Sequence, residues 1–95
     1  MRNRILVCYD ISADNRRSKV ANICLSYGTR LQFSVFECPL DDKRFQQIKA
    51  ELEIVINRDE DQVLFVTLGP DMGEASLRIE AIGRPYVKRS RVVVV

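Results

Sequence analysis

The sequence predicts an α+β fold, a two-layer sandwich with two helices on one face of a mainly antiparallel sheet. Three observations predict it: runs with period-two alternation, two segments with an apolar stripe at i, i+3, i+4 and i+7, and the chain order β-α-β-α-β-β-β. At 95 residues, the chain is expected to form one domain spanning 1–95, with a single core.

The first strand reads Ile5-Leu6-Val7-Cys8-Tyr9-Asp10-Ile11, an apolar run with one carboxylate near its end. Ser12, Ala13 and Asp14 follow as a capping loop, with Asp14 the favoured N-cap. The helix after it places Val20, Ile23, Cys24 and Tyr27 on one face, and Gly28 is expected to terminate it. A second strand is predicted from Arg30 to Cys38, with Leu31, Phe33 and Val35 inward and Arg30 and Phe36 on the other face. Asp41 and Asp42 open a second helix with the stripe Phe45, Ile48, Leu52, Val55 and Ile56, and residues 57–61 form a polar turn. Val63 to Leu68, apolar on both faces, is expected to be a central strand. Gly69 to Gly73 reads as a loop, and Leu77 to Ile82 as a strand ended by Gly83, with Pro85 barring further ladder bonds. Residues 84–95 form a basic arm closing in Val92-Val93-Val94-Val95. Those four valines are expected to pair as an edge strand, within this sheet or on a partner subunit's.

Composition excludes several classes of function. No apolar run approaches the roughly 20 residues that span a bilayer, and no small-residue cleavage site follows the first strand, so a cytoplasmic protein without membrane contact is expected. The chain has no histidine, which removes imidazole bases and Ser–His or Cys–His nucleophile schemes. Cys8, Cys24 and Cys38 stand far apart without C-x-x-C spacing, so they read as small core residues and not as a zinc or redox motif. The net charge of +2 is segregated: residues 1–30 carry six Lys/Arg against two Asp/Glu, residues 31–83 five against eleven, and residues 84–95 four against none. A positive and a negative face follow if the two basic ends meet in space.

Asp10 is the leading candidate for chemistry. A carboxylate beside an apolar run is costly unless a cation or hydrogen-bond donors meet it. It reads either as a partner for a nearby arginine or loop cap, or as a ligand for a divalent metal. Mg²⁺ keeps several waters and needs few protein carboxylates, and a two-fold axis near Asp10 would add a second one from a partner chain. Arg16 and Arg17 lie in a first helical turn, where cations are disfavoured, which hints at phosphate contact. Arg30 is read as a phosphate contact, and Phe36 beside it as a stacking surface for a base or a subunit contact. Tyr9 points away from Asp10, toward the core, with its hydroxyl at the rim. Arg84, Lys88 and Arg89 form a phosphate-contacting arm.

The run from Val7 to Arg17 with its Y-D-I-x-x-D motif, Val20, the run Tyr27-Gly28-Thr29-Arg30-Leu31-Gln32-Phe33-Ser34-Val35-Phe36-Glu37-Cys38, and Ile82-Gly83-Arg84 closely resemble the CRISPR-associated protein two family. The resemblance covers nearly the whole chain. It implies a ferredoxin-like domain, a homodimer with a C-terminal strand crossing to the partner, and a break near Ser34 or Glu37 that would turn the Arg30–Leu40 stretch into a strand pair. It implies a metal-dependent endonuclease acting on RNA or DNA with Mg²⁺ or Mn²⁺ held by Asp10 of both subunits, and expected to be slow. The alternative it implies is a non-catalytic DNA-binding scaffold that bridges the subunits of a CRISPR integrase partner protein during spacer acquisition. Tyr9, Arg16, Arg17, Arg30 and Phe36 fall at or beside motif positions linked to activity or substrate contact.

Overall fold

A computed structural model describes residues 2–69 and 78–87. Within them the order is β1 (Asn3–Asp10), α1 (Asp14–Leu25), β2 (Thr29–Gln32), β3 (Val35–Leu40), α2 (Asp42–Val55), β4 (Gln62–Thr67) and β5 (Arg78–Gly83). The strands form one sheet in the order β2-β3-β1-β4-β5, and every neighbouring pair is antiparallel. Both helices pack on one face, giving the expected α+β sandwich of ferredoxin-like form. β4 is paired on both sides, as expected of a central strand, and β1 occupies the middle of the sheet.

Period-two alternation along β1 sends Ile5, Val7 and Tyr9 under the helices, where they join Phe36, Cys38 and Leu40 of β3 and Val63 and Phe65 of β4. The helical stripes meet them: Val20 and Cys24 from α1, Ile48 and Leu52 from α2, none of them with measurable exposure. Asp41 caps α2 by accepting from the Arg44 backbone N–H at 2.8 Å. Burial pushes the Cys24 thiol up to about 12, with Cys38 adding to it, and the Cys38 thiol up to about 11. Both behave as the core residues the sequence predicts.

The structure corrects four expectations. The Arg30–Cys38 stretch is a hairpin whose β2 and β3 turn at Phe33 and Ser34, as the family resemblance implies, and not a single strand. The core face is also the opposite one: β3 pairs with β1 so that Phe36 lies beside Val7 and Cys38 beside Ile5, and Phe36 is fully buried while Leu31 and Phe33 are 53% and 71% exposed. The α1 N-cap is Ala13 with no side-chain cap bond, because Asp14 is already inside the first turn and pairs with Arg17. Gly28 is not a left-handed terminator. It is required because a Cβ there would stand 2.2 Å from the Glu37 carbonyl oxygen of β3. The first part of the Gly69–Gly73 loop reads as expected, with Gly69 at φ 74°; the rest of that loop, Lys88, Arg89 and the terminal valines lie outside the described residues.

Candidate nucleic-acid and metal site

Antiparallel pairing sets one end of the sheet as the site. Asp10 ends β1 opposite Gln62, the start of β4, and Gln62 faces Gly83, the end of β5. Asp10 alternates with the buried Tyr9, so its side chain stands on the sheet face the helices leave open, 78% exposed. The chain needs Gly83 at φ 88°, since a Cβ there would meet the Asp61 carbonyl oxygen at 2.2 Å. That tight turn delivers Arg84, whose backbone N–H donates to the same carbonyl at 2.7 Å. Its guanidinium then donates to the Glu60 carbonyl at 3.1 Å and to Asp10 Oδ2 at 3.0 Å.

Beneath Arg84 lies a carboxylate that sequence reasoning missed. Asp61 is fully buried and accepts from Arg16 Nε at 2.8 Å, Arg16 Nη2 at 3.1 Å and the Asn57 N–H at 2.8 Å. Burial alone would raise its pKa, but the bonds from Arg16 and Asn57 outweigh burial and hold it below the usual carboxylate value. Its position as the last residue of a polar turn, four after an Asx-turn-forming asparagine, was the available signal. Arg16 also reaches Glu60 at 2.9 Å. Its guanidinium is therefore committed to locking α1 onto the turn before β4, and the expectation that it meets phosphate gives way to this structural role.

On the other side of Asp10, Tyr9 donates its hydroxyl to the Phe33 carbonyl at 3.3 Å and its N–H to the Ser34 carbonyl at 3.1 Å. Tyr9 also stacks on Phe36 with centroids 6.1 Å apart. Both rings are interior: Tyr9 packs in the core as its alternation predicts, and the expectation that Phe36, or Tyr9 by the family resemblance, touches substrate or a partner is replaced by one in which they fix the hairpin. Arg30 lies over Phe36 at 5.0 Å and remains exposed. Arg17 donates to the Ile11 and Ser12 carbonyls at 2.9 and 3.1 Å, tying the loop after Asp10 to α1.

Arg84 meets Asp10 on the open face of the sheet, whereas Arg30 shares the helix-side face with Phe36 and Arg17 stands on α1, bound to the loop after Asp10; Lys88 and Arg89 lie outside the described residues. A cleft of about 210 Å³ lined by Asn3, Phe45, Lys49 and Glu80 opens at the other end of β1, roughly 20 Å from Asp10 at the rise of a strand. Among the described residues no three His, Cys, Asp or Glu side chains cluster as metal ligands. One chain's donor set is the single Asp10 carboxylate, already paired with Arg84, and by itself it does not make a magnesium site.

A family model described as CRISPR associated protein Cas2 matches residues 2–74. The chain is 34% identical over 80 residues to "CRISPR-associated endoribonuclease Cas2 3" of Synechocystis, covering 84% of each protein. It is also 34% identical over 85 residues to "CRISPR-associated endoribonuclease Cas2" of Thermus thermophilus, covering 90% of this chain and 87% of that protein. Among solved structures, a hypothetical protein TT1823 from Thermus thermophilus matches with a TM-score of 0.64 and 30% identity over 100% of this chain and 94% of that one. Streptococcus pyogenes Cas2 at pH 6.5 matches with a TM-score of 0.62 and 36% identity over 65% of this chain and 81% of that one. The fold, the end-of-strand aspartate and these likenesses agree: the chain belongs to the CRISPR-associated Cas2 family.

Proposed function

We propose that this protein is a homodimeric, Mg²⁺- or Mn²⁺-dependent endonuclease that hydrolyses phosphodiester bonds of RNA or DNA in CRISPR spacer acquisition. The observation that carries the reading is the placement of Asp10 at the rim of an open, apolar sheet face. Register puts Glu37, Leu6, Val66 and Ile79 in one row of that face, with Glu37 ion-paired to Arg4, and Val35, Cys8, Leu64 and Ala81 in the next. A face of this kind favours a second copy of the chain over water. A copy seated there would bring its own Asp10 toward the same rim, giving the two carboxylates that one chain lacks. The relatives named endoribonuclease or endonuclease support cleavage as the outcome.

A bound divalent cation would polarise a phosphate and acidify a water. The chain's own groups do the rest. Arg30, exposed and without a carboxylate partner among the described residues, attracts and offsets phosphate charge. Arg84 balances Asp10 before substrate and cation arrive. With one carboxylate per chain and no second acidic cluster among the described residues, slow turnover is expected. Asp10→Ala is expected to lower Mg²⁺-dependent cleavage of labelled RNA or DNA by about a hundredfold. Undiminished cleavage by highly purified Asp10→Ala protein would remove the catalytic reading.

The Arg84–Asp10 pair also favours a second reading, a non-catalytic DNA scaffold bridging integrase subunits, because it leaves that carboxylate neutralised. In that case reversal of charge at Arg84, Lys88 and Arg89 abolishes salt-sensitive DNA retention, and Asp10→Ala leaves retention intact.

A further inference from the structure

Phe33 stands at the tip of the β2–β3 hairpin with 71% of its surface exposed, in a position where the chain could have placed a polar turn residue. Two cations flank its ring: the guanidinium carbons of Arg17 and Arg30 lie 6.0 and 5.9 Å from its centroid, at the outer limit of cation–π contact. The tip is held in place. Its Phe33 and Ser34 carbonyls accept from the hydroxyl and N–H of Tyr9, the residue next to Asp10. Arg17 is anchored on the Ile11 and Ser12 carbonyls. Arg30 bridges the exposed ring to the buried Phe36, at 5.0 Å.

We propose that Phe33, flanked by Arg17 and Arg30, is a stacking platform for an unpaired base of single-stranded nucleic acid. The proposal rests on the reading of the protein as acting on nucleic acid, and it names the strand form taken beside Asp10. An aromatic face stacks on any base whose own faces are free, and bases inside a duplex have theirs covered. The Arg30 guanidinium, in no ion pair among the described residues, meets a phosphate beside the stacked base, while Arg17, bound to the Ile11 and Ser12 carbonyls and paired with Asp14, holds its place beside the ring. A second copy of the chain seated on the tip would have to cover the Arg30 charge, which has no carboxylate partner among the described residues of its own chain.

The test measures binding in EDTA, where cleavage is silent, using a short fluorescein-labelled single strand and the same sequence as a blunt duplex. Phe33→Ala is expected to weaken single-strand binding about tenfold and to leave duplex binding within about twofold. Phe33→Trp is expected to restore it. The chain contains no tryptophan, so the fluorescence of the F33W variant reports the platform alone, and quenching by the single strand but not the duplex is expected. Equal single-strand binding by wild type and Phe33→Ala, equal losses on both probes, or unquenched fluorescence overturns the platform and leaves the nuclease reading standing. Dissociation of the wild-type oligomer by Phe33→Ala, seen in sedimentation velocity, also overturns it, by making Phe33 a subunit contact. Absence of wild-type binding to either probe would overturn the nucleic-acid reading itself, and the platform with it.

Discussion

Asp61 is a fully buried carboxylate beside the site, and the sequence reads it only as the end of a polar turn. Arg16 answers it with two nitrogens at 2.8 and 3.1 Å. Removing one member of such a pair leaves a buried charge uncompensated, at a cost of about 3 kcal/mol. Its carboxyl titrates below the ordinary range in the folded chain, because the Arg16 and Asn57 bonds outweigh burial. The folded pKa is therefore lower than the unfolded one. The stability this group contributes is complete above the unfolded carboxylate pKa, about 4, and is lost as pH falls through the depressed folded value. Asp61→Asn is expected to be less stable than wild type in urea melts at neutral pH, with the gap narrowing as the melts are repeated at decreasing pH below about 4. A gap that stays constant with pH would mean the Arg16 pair is not its source. Asp10, by contrast, was legible at once, since a lone carboxylate in an apolar alternation can only face away from the core. Its partner Arg84 lies 74 residues on in sequence, and only the pairing of β1 with β4 and β4 with β5 brings the two together.

The elements themselves were legible where periodicity was unbroken, as in β1, the two helical stripes and β4. The β2–β3 hairpin was not, because its turn at Phe33-Ser34 contains no glycine, asparagine or proline, and the only positive-φ residues described are Gly69 and Gly83. Without a turn signal, alternation from Arg30 to Cys38 reads as one strand, and only the pairing of β3 with β1, Phe36 beside Val7 and Cys38 beside Ile5, shows which of its faces is buried. Phe36 is buried where the sequence reads an exposed ring, and Phe33 at the turn is exposed instead. The opposite case is the end of β5, where Gly83 reads as a simple stop. It is also the hinge of the site, since its φ of 88° and its approach to the Asp61 carbonyl aim Arg84 at Asp10. Gly83→Ala is expected to cost about 2 kcal/mol in a thermal or urea melt, from backbone strain with the added Cβ contact. A neutral substitution would show that the turn relaxes without loss.

For the whole molecule, the helices cover only one of the two sheet faces, and the other presents Leu6, Cys8, Val35, Leu64, Val66 and Ile79 at half-burial or more exposed. A small domain that leaves this much apolar sheet uncovered gains more by pairing with a copy of itself than by any added internal contact. The proposed dimer would therefore tie stability to chemistry, since a closure that hid the face would also bring two copies of Asp10 toward one rim. Cys8 reports on it directly. Its thiol lies in one row of that face with Val35 and Leu64, half-buried and pushed up by that burial, whereas Cys24 and Cys38 are fully buried and pushed up to about 12 and about 11. Cys8 is thus the thiol expected to react first with a thiol-specific reagent, and closure of a dimer over it is expected to slow that reaction as protein concentration rises. Leu64→Asp, which sets a charge in the same row, is expected to yield monomers by sedimentation, restore fast labelling and abolish cleavage while retaining the wild-type circular dichroism. Fast labelling of the wild type at every concentration would place the open face in water, and the two carboxylates would then have no shared site.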